Sequence, residues 1–371
     1  MNSLENATLV DHFSRIPDFR CKHNKRHKLV DIMVITVCAV IGGANDWNAI
    51  ETFGKAKITW LLTFLELPNG IPSHDTFRRV FSILSPDIFQ DCFLNWINSV
   101  VHFTHGQVVA IDGKTLRRSH DKGSGKTAIH MVSAWATENG LVMGQVKTEE
   151  KSNEITAIPE LLKVLDISGS IVTIDAMGCQ KKIVDLIIRQ GGDYVIGLKG
   201  NQGNLLKEAK KLFCEINDND FDYFETVEKG HGRVETRSYQ VTDAIDFLPQ
   251  KGEWREINTI GMVESVREEN GKVSYEHRFY IGSIEKDAEC FASAVRKHWG
   301  IENQLHWSLD MVFREDESRM RKGNSAENFA VVRHIAANLL GQEKTAKLGK
   351  MNKRLKAAWD DNYLAKVLTQ L

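Results

Sequence analysis

VVAIDGK at residues 108–114 and IVTIDAMG at residues 171–178 decide how this chain folds. Each is a short, largely apolar run, rich in β-branched residues and closed by an aspartate. Such a run reads as a buried strand. An aspartate at the carboxyl end of a buried strand stands where crevices of α/β sheets bind ligands. Asp112 and Asp175 also fit a plainer reading, as turn or cap residues after a strand. If the two strands are sheet neighbours, the carboxylates meet. Two close carboxylates resist ionisation unless a cation lies between them.

Outward from these stretches, residues 129–137 and 141–147 read as two further strands. They are joined by Glu138-Asn139-Gly140, a strong hairpin signal. Helical spacing follows at 153–165, then the strand at 171–174, a helix at 180–190 stopped by Gly191-Gly192, and a strand at 194–198. Three strands followed by alternating α and β predict a mixed sheet with helices packed on it. Residues 234–242, 256–266 and 273–284 are β-rich, with a hairpin at Glu269-Asn270-Gly271, and predict a β-rich insertion. Residues 1 to about 100 carry helical patterns only, and helical periodicity resumes near residue 287. The expected organisation is a helical N-terminal region over 1–104, a first part of an α/β core over 105–214, the insertion over 215–286 and a helical part of the core over 287–371.

Composition is that of an ordinary globular protein, with 42% apolar and 26% charged residues in 371. The longest apolar run, 32–44, is shorter than the roughly 20 residues of a membrane span. No signal-peptide pattern opens the sequence. Six scattered cysteines argue against a disulfide framework or zinc ribbon and fit a reducing cytoplasm. A net charge of −1 does not announce a nucleic-acid partner. The charge is segregated, however. RCKHNKRHK at 20–28 is basic throughout, whereas EINDNDFDYFETVE at 215–228 is acidic.

A third acid lies in HWGIENQLHWSLD at 298–310. On a continuous α-helix His298, Glu302 and His306 would share one face. That face is a solvated polar stripe, a set of zinc-type ligands with no evident fourth member, or the source of one carboxylate, Glu302. Asp310, two turns on, competes for that role. Trp299 is either a core residue or a stacking surface for a base. GSGKT at 123–127 lacks the first glycine and the preceding strand of a phosphate-binding loop and reads as a mobile loop.

The order AIDGK, TIDAMG and HWGIEN resembles the DDE transposases of bacterial insertion sequences, and more closely their H-repeat-associated branch. PDFRCKHNKRHKL, PSHDTFRRVF, YVIGLKGNQ, GHGRVETR and HWGIENQLHWSLDMVFREDESR resemble that branch as well, so the likeness spans essentially the whole chain. The resemblance implies an RNase H-like core interrupted by a β-rich insertion between the second Asp and the Glu. It implies that Asp112, Asp175 and Glu302 hold two Mg²⁺ ions, with Mn²⁺ as a substitute. It implies double-stranded DNA as partner, at element ends and target, and a homodimer on DNA. The uneven spacing agrees, with 63 residues between the aspartates and 127 from Asp175 to Glu302. The Tyr, Arg and Lys that the wider superfamily sets around the Glu are replaced here by Val295, His298 and Leu309. The basic residues expected at DNA are Arg20, Lys22, Lys25, Arg26, Lys114, Lys199, Arg233, Arg237, Arg296 and Lys297. The alternative is an inactive or repurposed copy that only binds DNA.

Overall fold

The computed structural model describes residues 8–21, 25–100, 106–120, 125, 127–148, 154–215, 220–230 and 232–369. The helices are α1 (Leu9–Ser14), α2 (Leu29–Ile41), α3 (Trp47–Ala56), α4 (Ile58–Leu61), α5 (His74–Ile83), α6 (Pro86–Val100), α7 (Glu154–Val164), α8 (Lys181–Arg189), α9 (Gly203–Glu215), α10 (Ala288–His298), α11 (Trp307–Met311), α12 (Ser325–Gln342), α13 (Lys350–Trp359) and α14 (Asp361–Leu368). The strands are β1 (Val108–Thr115), β2 (His130–Ala136), β3 (Leu141–Thr148), β4 (Ile171–Ile174), β5 (Asp193–Leu198), β6 (Asp222–Gly230), β7 (Arg233–Thr242), β8 (Thr259–Glu269) and β9 (Lys272–Gly282). Among the described residues no helix is long and apolar enough to cross a membrane.

One nine-stranded sheet runs in the order β3-β2-β1-β4-β5-β9-β8-β7-β6. The first three strands form an antiparallel meander. β4 pairs parallel with β1, and β5 parallel with β4. This is the mixed sheet expected of an RNase H-like core. The β-rich insertion is continuous with it, because β9 pairs antiparallel with β5 from Val195↔Gly282 to Leu198↔Phe279. The β8–β9 hairpin turns at Asn270 and Gly271, both at positive φ, as the Asn-Gly signal predicts. The insertion's outermost strand, β6, lies in the acidic stretch, where charge masked the strand pattern. Acidic side chains suit an edge strand, since they discourage pairing with other chains.

The N-terminal helices pack around two helices buried on almost all sides. In α2 only Val30 is not buried, and the helix packs on the C-terminal helix α12. The helical texture at both ends of the sequence thus builds one apolar core, continuous with that of the sheet. Polar residues on α12 serve its neighbours. Asn328 donates to Phe81 O and Leu84 O, carbonyls at the end of α5. Asn338 covers the sheet edge: its Oδ1 accepts from Val142 N–H at 2.8 Å and its Nδ2 donates to Val142 O at 2.9 Å. Asn338→Ala would strand both backbone groups in a buried place. Denaturant unfolding should lose about 2 kcal/mol; an unchanged midpoint would mean that β3 needs no such cover.

Candidate metal site and DNA cleft

β1 and β4 pair residue for residue, Val108↔Ile171 through Ile111↔Ile174. Side chains alternate along a strand, so Val108, Ala110 and Asp112 share a face, as do Ile171, Thr173 and Asp175. Val108 and Ile171 both pack under α10 in one apolar cluster. Continuing the register by one residue sets Asp112 beside Asp175 on that face. Asp175 then caps the short turn Ala176–Gly178, its Oδ1 accepting from Met177 N–H at 2.9 Å. Its role as a cap therefore coexists with its place in the cleft.

Gly113 follows Asp112 for a steric reason. A Cβ there would stand 2.3 Å from Glu154 Oε1 and 2.4 Å from His130 Nε2. These two groups form a buried pair at 2.6 Å directly behind the aspartate.

The third acid is not on a continuous α-helix. α10 ends at His298, and Ile301–His306 winds as a π-helix before α11 begins. Such widened turns concentrate at functional sites. The shared face expected of His298, Glu302 and His306 gives way to three separate environments. His298 Nδ1 lies 3.1 Å from Thr173 Oγ1 on β4. His306 Nδ1 lies 3.6 Å from Asp112 Oδ2, beyond a normal hydrogen bond. Glu302 is exposed and lines the cleft that also takes Asp112 and Asp175. Asp310, the rival for the third acid, is instead ion-paired to Lys114 at 2.5 Å.

The cleft encloses about 560 Å³. Asp112, Asp175 and Glu302 line it together with Lys199, Lys210, His277 and Arg278. Arg278 lies 5.0 Å over the ring of Trp299, which is half-buried at the cleft rather than a core residue. Leu198↔Phe279 pairing brings Lys199 and Arg278 to one level of the sheet. Lys210 and Arg278 were not legible in the sequence, because only the long-range pairing of β5 with β9 carries β9 to the cleft.

Burial pushes the Asp112 carboxyl up to about 7, and the charges of Glu302, Asp175 and Glu154 push the same way, against a hydrogen bond from the Gly113 backbone. Burial brings His306 down to about 4, so its imidazole is neutral beside Asp112. Burial also lowers His298. Carboxylate oxygens are the hard donors that divalent ions such as Mg²⁺ and Mn²⁺ prefer, and a cation at the cleft would offset the charges that raise Asp112. Among the described residues no three His, Cys, Asp or Glu side chains already stand in an ion-binding cluster.

The remaining cations divide by partner. Lys114 is 12% exposed and lies between Asp310 and Glu315, which withdraws it from any DNA surface. Arg20 is bound to Asp18 and to His27 O, and Lys25 to Asp18. Arg237 pairs with Glu228 and Glu235, Arg296 with Glu228, and Lys297 with Glu138. Arg26 and Arg233 are exposed and, among the described residues, carry no ion pair; Arg26 borders a second groove with Arg79 of α5. Lys22 and the loop lysines Lys122 and Lys126 lie outside the described residues.

A mixed sheet whose neighbouring strands bring Asp112 and Asp175 to a cleft that Glu302 also lines is an arrangement shared with the DDE class of transposases. The chain belongs to the family described as Transposase DDE domain, which matches residues 104–339. The description DDE_Tnp_1-associated matches residues 10–97. The chain is 47% identical to the H repeat-associated putative transposase YhhI of Escherichia coli (strain K12), over 98% of each chain. It is 45% identical to the putative transposase YncI of Escherichia coli O157:H7, over 97% of this chain and 94% of that one. A 79-residue match, 21% of this chain, is to a protein named inactive transposase YbfQ. Among solved structures, a piggyBac transposase synaptic complex with hairpin DNA is similar at a TM-score of 0.42 and 10% identity, covering 100% of this chain and 80% of that one.

The Asp112 environment has a measurable consequence. Its carboxyl is raised from 3.8 to about 7 in the fold. A raised carboxyl costs nothing below its unfolded value, where it is protonated in both states. The cost grows as pH rises and is complete above the folded value. Asp112→Asn should therefore stabilise the metal-free protein, by an increment that grows about 2 kcal/mol between pH 5 and pH 7. Denaturant unfolding in EDTA at the two pH values tests this, and an increment independent of pH would contradict it.

Proposed function

We propose that this transposase-family chain binds insertion-sequence ends and catalyses divalent-metal-dependent DNA strand cleavage and strand transfer, with Asp112, Asp175 and Glu302 as the metal-holding acids. The observation that carries this reading is the shared register of β1 and β4, which brings two carboxylates together facing a third across a cleft with cationic walls. Two Mg²⁺ ions held there, or Mn²⁺ in their place, would supply an activated water or 3′-hydroxyl and a stabilised leaving oxygen for in-line displacement at phosphorus.

The protein's own groups divide the remaining work. Asp175 keeps one oxygen fixed by backbone N–H groups, so its carboxylate is held in orientation. Asp112 is half-buried and flanked by neutral His306, which adds no competing charge. Lys199 and Lys210 offer phosphate contacts in the cleft that the acids line, while Arg278, held by both oxygens of Glu276, lies over the ring of Trp299. Arg26 and Arg233 extend the basic surface beyond the cleft. Joining two DNA ends calls for a homodimer on DNA, acting in the bacterial cytoplasm on the nucleoid.

Incubation with the element's terminal DNA and Mg²⁺ tests the acids. Wild type should cleave, and Asp175→Ala should lose at least about 100-fold in rate. Equal cleavage by both proteins, or none by either, would sink the reading; binding without cleavage would favour a chain that only holds DNA. Arg26→Ala should weaken binding to all DNA sequences alike and lower the salt slope by about 1. An unchanged slope would remove Arg26 from the interface.

A further inference from the structure

Asp112 and Glu302 sit on different elements, β1 and the π-helical turn. Their separation depends on how firmly those elements are tied. Apolar packing alone lets a helix slide over a sheet by fractions of an ångström. A directional polar tie does not. Lys114, two residues beyond Asp112 on the same face of β1, makes such a tie. Its Nζ donates to Asp310 Oδ1 at 2.5 Å and to Glu315 Oε2 at 2.7 Å. Asp310 lies on α11, which continues directly from the turn carrying Glu302. Glu315 is fully buried, and its other oxygen lies 3.4 Å from Arg333 Nη1 on α12. Arg354 of α13 donates to Val312 O, just past α11, and to Val40 O in α2.

We infer that Lys114 is a positioning residue that sets the spacing of Asp112 and Glu302, so that metal affinity, not DNA affinity, depends on it. The inference rests on the reading of these acids as metal ligands. It makes a prediction opposite to simple electrostatics. Removing a nearby cation should tighten the binding of a divalent ion if charge alone mattered. If geometry matters, removing Lys114 weakens it. Outer partners of metal ligands typically carry about 10- to 100-fold in metal affinity.

The test uses the full chain and MnCl₂ without DNA, with free Mn²⁺ followed by its paramagnetic resonance signal. Thermal midpoints are recorded alongside, as is DNA affinity in EDTA. Lys114→Met should bind Mn²⁺ at least about 10-fold more weakly than wild type, and Asp310→Asn should weaken it in the same direction. Neither should change DNA affinity in EDTA or its salt slope. If Lys114→Met does not fold, Asp310→Asn decides, because Asp310 is only half-buried. Mn²⁺ affinity within twofold of wild type in the folded variants would overturn the inference, even if their thermal midpoints fall. Tighter Mn²⁺ binding by Lys114→Met would reduce Lys114 to a charge effect. Weaker DNA binding with unchanged Mn²⁺ affinity would return it to the DNA surface. Asp175→Ala separates the two claims: if it binds Mn²⁺ like wild type, the metal-site reading itself fails.

Discussion

Four residue pairs between two parallel strands determine where the candidate site can be. Val108–Ile111 and Ile171–Ile174 lie side by side without a slip; Asp175 follows the end of β4, whereas β1 runs on past Asp112 to Thr115, paired with β2 alone. A slip of one residue would turn one carboxylate to the opposite face of the sheet. Val108 and Ile171 pack under α10 while Val109 and Val172 pack into the main core on the other face, so a slip would have to repack two close-packed faces at once. Hydrophobic packing therefore holds together two charges that repel. Asp112, half-buried and pushed up to about 7, carries the cost of that arrangement. Strain of this kind is expected where a fold is shaped for a ligand rather than for its own stability.

The sheet was legible from its apolar runs and Asn-Gly hairpins because those signals are local. The runs carrying the two aspartates were legible for the same reason, but the end of β1 was not: the strand continues past Asp112 through Gly-Lys-Thr, because pairing with β2 extends it. Glu302 was found by resemblance, and its π-helical setting was not visible: nothing in 298–310 distinguishes a widened turn from a regular helix. The competition between Glu302 and Asp310 could not be decided by spacing. In the fold Lys114, 196 residues away from Asp310 in the chain, takes the Asp310 carboxylate, while Glu302 lines the cleft. Arg278 escaped notice for the same reason, since its place depends on β9 returning to pair with β5.

Charge tells a similar story. A chain expected to grip DNA has almost no net charge. Many of its cations are spent internally, on Asp18, Glu138, Glu228, Glu235, Asp310 and Glu315. Clustering in sequence did not identify the available ones. Of the basic run at 20–28, Arg20 is folded back on its own loop, while Arg26 remains exposed. The cations lining the cleft come from three separate segments, Lys199 after β5, Lys210 on α9 and Arg278 on β9, the last itself paired with Glu276.

The central claim is that this register makes one divalent-ion site from Asp112, Asp175 and Glu302. Crystals of the full chain soaked in MnCl₂ and measured at the manganese absorption edge test it most directly. The account predicts an anomalous peak between the carboxylates of Asp112 and Asp175, within reach of Glu302. Manganese bound elsewhere with none between the two aspartates would contradict it.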